Sequence, residues 1–259
     1  MHRITKFTLA ALLLILFACR QGDAADARLA PAPGASHAPL AQLADVVAKT
    51  VAALGGHDKL AALKTVRMTG ELSSSREVDH APLAVDKKGG DRYLRRLTIG
   101  HETVLEAVDG DRTWEVDAGA GIAKPQEMDA VHARRYRHRA DLAGPLVDAA
   151  AKGIRLELAG SEQFDGDDVY RVRVHYPDSD LYAYLISAKT FLPVAQLEIV
   201  EAHGKTAEIV TRLKGYRQID GLAFPFEEET EFPKFKQTIV WKQIQVNVPL
   251  DDAEFKMPH

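Results

Sequence analysis

Alternation of apolar and polar residues over short segments dominates this chain from Thr65 onward. It is clearest in residues 170–176, where tyrosine and valine occupy one set of alternate positions and arginine and histidine the other. A period of two places successive side chains on opposite faces of a strand. A strand with one apolar face is typical of an antiparallel sheet that is covered on a single side. The sequence therefore predicts such a sheet.

Other segments share this pattern and predict further strands. They are residues 66–72, 92–99, 103–108, 113–116, 154–158, 181–186, 193–200, 207–213, 224–230 and 239–248. In the last of them, apolar residues at 239 and 241 resume at 244, which predicts a β-bulge. The acidic segments 109–111 and 165–168 predict tight turns, since they lack the longer loop and terminal glutamate of a calcium site.

Two regions predict helices that could cover the sheet. Residues 40–54 carry apolar side chains at spacings of three and four, and Gly55-Gly56 provides an end to that helix. Residues 57–63 predict a short second helix. A longer helical region is predicted over residues 125–152, beginning at Pro125 and broken or kinked at Gly144-Pro145. The predicted class is α+β.

Charge and motifs exclude several functions. Lys plus Arg number 33 against 37 Asp plus Glu, a net charge of -4, so no bulk positive charge favours nucleic acid. His101-Glu102 begins a metalloprotease motif, but Leu105 occupies the position of its second histidine. Residues 34–38 resemble a nucleophile elbow without its last glycine. We predict no catalytic, metal or cofactor site.

The amino terminus predicts export. Arg3 and Lys6 precede the uncharged residues 7–18, a segment shorter than the roughly 20 residues that span a bilayer as a helix. A basic start and a short apolar run are typical of a secretory leader, here residues 1–18. Residues 16–19 resemble the bacterial lipobox, in which Cys19, the only cysteine, would be acylated. The alternative is an ordinary leader cut near Ala25 or Ala27, with Cys19 discarded.

Residues 19–39 are rich in alanine and proline and predict a tether, followed by one domain over residues 40–259. With Cys19 acylated or removed, no thiol remains for a disulfide or a cysteine nucleophile.

A basic cluster stands within the second helical region. It contains two histidines, Tyr136 and the arginines Arg134, Arg135, Arg137 and Arg139. One interpretation is a solvated helix face. The other is a contact for lipid headgroups or an acidic partner, since guanidinium groups pair bidentately with phosphate.

Four segments in order resemble the LolA/LolB-like superfamily of bacterial envelope lipoprotein carriers. They are residues 108–114 (VDGDRTW), 182–193 (YAYLISAKTFLP), 216–225 (YRQIDGLAFP) and 244–258, which carries Asn247, Phe255 and Pro258. The resemblance implies a strongly curved half-barrel sheet with helices plugging its concave face. It also implies a non-enzymatic, monomeric protein that holds an acyl chain, a phospholipid or a lipoprotein. In this family an arginine near the second strand helps to latch the plug, and Arg92, Arg95 and Arg96 lie in the comparable stretch.

Two other functions stay open at this point: a ligand-free interaction or sensory module of the same fold, and an envelope hydrolase. By analogy with enteric bacteria, Arg20 after Cys19 favours an outer-membrane lipoprotein that faces the periplasm. The alternative is a soluble periplasmic protein.

Overall fold

A computed structural model describes residues 40–76, 78–178, 181–202 and 205–258. The predicted leader, Cys19 and the tether lie outside the described residues. The helices of the described part are α1 (Leu40–Ala53), α2 (His57–Ala61) and α3 (Ala130–Ala140). The strands are β1 (Thr65–Ser74), β2 (Val78–Lys88), β3 (Arg92–Ile99), β4 (Glu102–Asp109), β5 (Arg112–Asp117), β6 (Ile122–Glu127), β7 (Arg155–Phe164), β8 (Asp167–His175), β9 (Leu181–Ser187), β10 (Pro193–Ala202), β11 (Lys205–Lys214), β12 (Arg217–Ile219), β13 (Leu222–Phe224), β14 (Glu227–Phe232) and β15 (Phe235–Val246).

Thirteen of these strands form one sheet in the order β6-β5-β4-β3-β2-β1-β15-β14-β11-β10-β9-β8-β7, and β12 and β13 form a separate hairpin. Neighbouring strands are antiparallel, as the alternation predicts. The sheet consists of two meanders that β15 joins by pairing with β1. It is curved and not closed, so the α+β half-barrel prediction is confirmed.

All three helices pack on the same face of the sheet, which we call the concave face. Val46 of α1, Leu60 of α2 and Tyr136 of α3 are buried there. Residues directly opposite one another in an antiparallel pair share a face. The pairs Met68–Val85, Val85–Arg95 and Arg95–Glu106 therefore mark one row across that face.

The C-terminal segment, residues 248–257, covers part of the opposite, convex face. Leu250 and Phe255 pack there against Leu94, Ala107 and Trp114. The segment contains a short 3₁₀ turn over Asp252–Phe255, where the side chain of Asp251 accepts a hydrogen bond from the N–H of Ala253 at 2.9 Å. Burial of this apolar surface holds the C-terminal segment on the sheet.

The second helical region is shorter than predicted. The prediction of a helical region over residues 125–152, broken or kinked at Gly144-Pro145, is wrong except at Ala130–Ala140. Pro125 lies in the edge strand β6, where a residue without an N–H is tolerated. Asp129 begins α3 by accepting hydrogen bonds from the N–H groups of Val131 and His132 at 2.9 and 3.0 Å. Residues 142–152 form turns, in which Leu146 and Val147 are buried.

Two features of the strands also differ from the prediction. Strand β2 was not predicted, because Pro82 and the polar residues at its start weaken the alternation. The predicted strand over residues 224–230 is divided at Pro225 between β13 and β14.

The predicted bulge and helix end are both confirmed. Thr69 pairs with Gln243 and Gly70 with Trp241, so Lys242 is the extra residue of β15. Gly70 suits this place, since a Cβ there would lie 2.3 Å from the carbonyl oxygen of Val240. After α1, Gly55 and Gly56 have φ angles of 127° and 93°, which other residues rarely adopt.

Candidate functional site

The concave face is apolar at the end of the sheet where β1 ends and β2 begins. Leu72, Leu83 and Leu97 lie there on adjacent strands and are 0%, 3% and 1% exposed. We call these three residues the apolar floor. Each of the strands β1, β2 and β3 contributes one leucine to the floor, and the side chains of all three lie on the concave face.

Three apolar residues continue the floor towards solvent. Val78 of β2, Ile99 of β3 and Ile239 of β15 pack against the same core but are only half-buried. We call them the apolar rim. The helices therefore leave part of this apolar face accessible at one end of the sheet.

An ion pair inside the concave face joins the sheet to α3. Arg95 pairs with Glu106 on the neighbouring strand, and the side chains are 14% and 4% exposed. The hydroxyl of Tyr136 lies near the same carboxylate and favours its charged form. Burial opposes the charge of Glu106, but Arg95 and Tyr136 more than offset it and hold its pKa below the usual range. These contacts connect β3, β4 and α3.

The other two arginines proposed for the latch lie on the convex face. Arg92 pairs with Asp109 at 3.0 Å. Arg96 pairs with Asp86 at 2.6 Å and with Glu254 of the C-terminal segment at 2.7 Å. Of the three arginines, Arg95 is the one that the structure brings close to a helix. Its role as a latch stays a prediction.

The basic cluster does not form one face of α3. Arg135 pairs with Glu198 of β10, whereas Arg137 donates to the carbonyl oxygen of Asp111 at 2.9 Å. Arg139 lies with its guanidinium 5.1 Å from the ring centre of Tyr136, and Arg134 is half-buried. These arginines therefore point to different parts of the molecule, and the headgroup contact stays a prediction.

A second set of polar groups lies between the concave face and α3. Lys87 of β2 is opposite Tyr93 of β3, with its Nζ 5.9 Å from the centre of the tyrosine ring. Tyr93 in turn lies against Tyr136, with ring centres 5.6 Å apart. Lys87 and Arg139 thus flank one pair of tyrosines. The sequence prediction missed Lys87, because β2 itself was not predicted. Residues 81, 83 and 85 are apolar and alternate with other residues, so a strand drawn there would have placed Lys87 at the end of its apolar face.

The histidines singled out by the sequence lie apart from one another in the described part of the chain. Within the described residues there is no cluster of three or more His, Cys, Asp or Glu side chains suited to a metal ion. His101 lies in the turn between β3 and β4, and His57 pairs with Asp148 at the surface. None of the described helices is long and apolar enough to cross a membrane.

Solved structures share this fold. A LolA superfamily protein from Nitrosomonas europaea has a TM-score of 0.55 at 12% identity, covering 82% of this chain and 97% of its own. A DUF1329 family protein from Desulfovibrio piger has a TM-score of 0.55 at 14% identity, with 82% and 96% covered. A domain named for outer membrane lipoprotein sorting, from Vibrio parahaemolyticus, has a TM-score of 0.53 at 11% identity, with 82% and 94% covered.

No family model matches the sequence, and no curated protein matches it. Identities this low show the fold alone. The chain has the LolA-like fold, which confirms the resemblance predicted from its four segments.

Proposed function

We propose that this chain is a non-enzymatic protein of the bacterial envelope that binds an acyl chain, a lipid or a lipoprotein on its concave face. The observation that carries the proposal is the half-buried apolar rim, which opens onto the fully buried apolar floor. Apolar burial contributes about 25 cal/mol per Å², so a long acyl chain laid on this surface would be held without any covalent bond.

Helix α3 would control access to this site. Tyr136, Glu106 and Arg95 tie it to the sheet, and release of a ligand would require this contact to open. The latch role of Arg95 belongs to this proposal. The alternative is a ligand-free interaction module, which the large number of fully buried residues in the same core favours.

Two variants of β15 test the proposal. Ile239→Gln changes a rim residue on the concave face, and Val240→Gln changes the next residue, which is 47% exposed on the convex face. Because burying an isoleucine is worth about 1.5–3 kcal/mol, Ile239→Gln should weaken uptake of a fluorescent fatty acid about tenfold or more. Val240→Gln should leave uptake unchanged.

Native mass spectrometry of the gently purified protein provides a second measurement. Lipid that purifies with the chain supports a carrier or receptor. A consistently ligand-free protein that takes up no fluorescent fatty acid would refute the proposal and favour the interaction module. Turnover of a hydrolase substrate would refute the non-enzymatic role.

A lipid anchor at Cys19 also belongs to the proposal. It would hold a monomer to the outer membrane, facing the periplasm, while residues 19–39 let the domain stand away from the bilayer. Labelling cells with a palmitate analogue tests this, with Cys19→Ser as the control. If the unmodified protein takes up no label, the anchor is refuted and a soluble periplasmic protein is favoured.

A further inference from the structure

Two cations lie where α3 meets the concave face and have no carboxylate partner within the described residues. The described residues offer no carboxylate oxygen within 4.0 Å of the charged nitrogens of Lys87 or Arg139. Both side chains flank the Tyr93–Tyr136 pair, one from the sheet and one from α3. Lys87 is half-buried, so its charge is costly there unless something neutralises it.

Three carboxylates whose charges act on Lys87 or Arg139 are already engaged elsewhere. Asp141 accepts from Lys152 at 2.7 Å, and Glu198 pairs with Arg135. Glu228 accepts a hydrogen bond from the indole of Trp241 at 2.7 Å. Two of these three acidic groups are neutralised by their own cations, so the surroundings of Lys87 and Arg139 carry an excess of positive charge.

Both cations are accessible to water. Arg139 is exposed and Lys87 is half-buried. Burial lowers the pKa of Lys87, and the charges of Glu228 and Asp141 act against that change. Burial also opposes the charge of Arg139, but Tyr136, Tyr93 and Glu198 hold its pKa above the ordinary value. The groups whose charges act on the two cations therefore lie in both halves of the sheet and in or next to α3.

We infer that Lys87 and Arg139 bind the anionic group, a carboxylate or a phosphate, of a ligand whose acyl chain lies on the apolar floor. The inference rests on the proposed function and specifies the chemical class of its ligand. Lys87 and Leu83 share one face of β2 four residues apart, so their Cα atoms are about 13 Å apart along the strand. An anionic head and an extended acyl chain would contact both places at once.

A guanidinium group favours this ligand class. Arg139 can donate two parallel hydrogen bonds to a carboxylate or a phosphate, and Lys87 can add a third donor. An uncharged lipid of the same chain length would leave both cations unpaired. Binding should therefore discriminate by head group as well as by chain.

Affinities for three ligands with sixteen-carbon chains test the inference: palmitate, hexadecanol and palmitoyl lysophosphatidate. We expect the unmodified protein to bind palmitate or the lysophosphatidate about tenfold or more tightly than hexadecanol. Comparison of the two anions identifies the preferred group. The variant Lys87→Met/Arg139→Met should lose this preference and keep its affinity for hexadecanol.

Arg137→Met provides the matched control, because Arg137 lies on the same helix but donates to a turn outside the site. It should keep the preference for anions. Arg139→Gln serves as a milder variant if the double variant does not fold, and it should reduce the preference. Equal affinity of the unmodified protein for hexadecanol and palmitate would overturn the inference while leaving the proposed function intact. Failure to bind any of the three would refute both.

Discussion

Trp114 donates its indole N–H to the backbone carbonyl of Phe255 across 2.8 Å, which joins β5 of the first meander to the C-terminal segment. The contact lies on the convex face, opposite the helices. Nearby, Lys88 donates to the carbonyl oxygen of Leu250 at 2.7 Å, and Arg96 pairs with Glu254. The C-terminal segment is therefore part of the fold, and it covers a surface that β3, β4 and β5 would otherwise expose.

Phe255→Ala should destabilise the protein by about 3–5 kcal/mol, because Phe255 is 0% exposed and its removal leaves a cavity beside Trp114. Urea unfolding measures this change, and the emission of Trp114 should shift to longer wavelength. The exposed neighbour offers a control, since Lys256→Ala should change stability by less than about 0.5 kcal/mol. Equal stability of the two variants would contradict a structural role for the segment.

Arg95→Met should destabilise the protein by about 3–5 kcal/mol, because it leaves the carboxylate of Glu106 buried without its cation. Arg95→Met/Glu106→Leu should recover much of that loss, since neither charge then remains. Chemical unfolding of the single and double variants measures both effects. Arg155→Met changes an arginine whose side chain is 65% exposed and should be nearly neutral. A double variant no more stable than Arg95→Met would argue against this pairing.

Tyr136→Phe should accelerate exchange of a bound fluorescent fatty acid, because it removes the hydroxyl that favours the charge of Glu106 and keeps the aromatic ring. Stopped-flow displacement by unlabelled palmitate measures the rate. Tyr170→Phe is the control, since Tyr170 of β8 packs against the ring of Phe191 and not against α3. An unchanged rate in Tyr136→Phe would refute a latch through this contact.

The pair between His57 and Asp148 predicts a local dependence on pH. Asp148, and then Asp58, raise the pKa of His57 above 6.5. Because the pKa of His57 is higher in the folded state than in the unfolded state, the pair stabilises the fold fully below about pH 6.5. This stabilisation is lost as the pH rises through the folded-state pKa of His57. Titration of the His57 ring proton by NMR should give a lower pKa in Asp148→Asn. The same pKa in both proteins would show that the pair does not form.

Ligand binding should change the fluorescence of Trp241 and leave that of Trp114 unchanged. Trp241 lies on the concave face beside Glu228, whereas Trp114 lies under the C-terminal segment on the convex face. In Trp114→Phe the emission change on adding palmitate should persist, and in Trp241→Phe it should disappear. A change that follows Trp114 instead would place the ligand on the convex face.

Local patterns in the sequence predicted much of the fold. Alternation identified most strands, the change of phase after Trp241 identified the bulge, and Gly55-Gly56 identified the end of α1. These features depend on neighbours within a few residues, so composition and spacing are enough to predict them. Strand β2 and the true length of α3 were missed. Pro82 weakens the strand pattern of β2, and Pro125, which is typical of a helix start, lies here in the edge strand β6. Whether a proline is tolerated in a strand depends on the strand's neighbours in the sheet, which the local sequence does not show.

Alternation by itself determined that each strand of this protein has an apolar and a polar face. Only the tertiary structure decided which face the helices cover. Arg95 and Arg96 are neighbours in sequence, yet one pairs with Glu106 beneath α3 and the other with Glu254 at the opposite surface. The physical reason is that a helix or a terminal segment covers a face through contacts distant in sequence. Those contacts also bring Lys87 and Arg139 to the same pair of tyrosines.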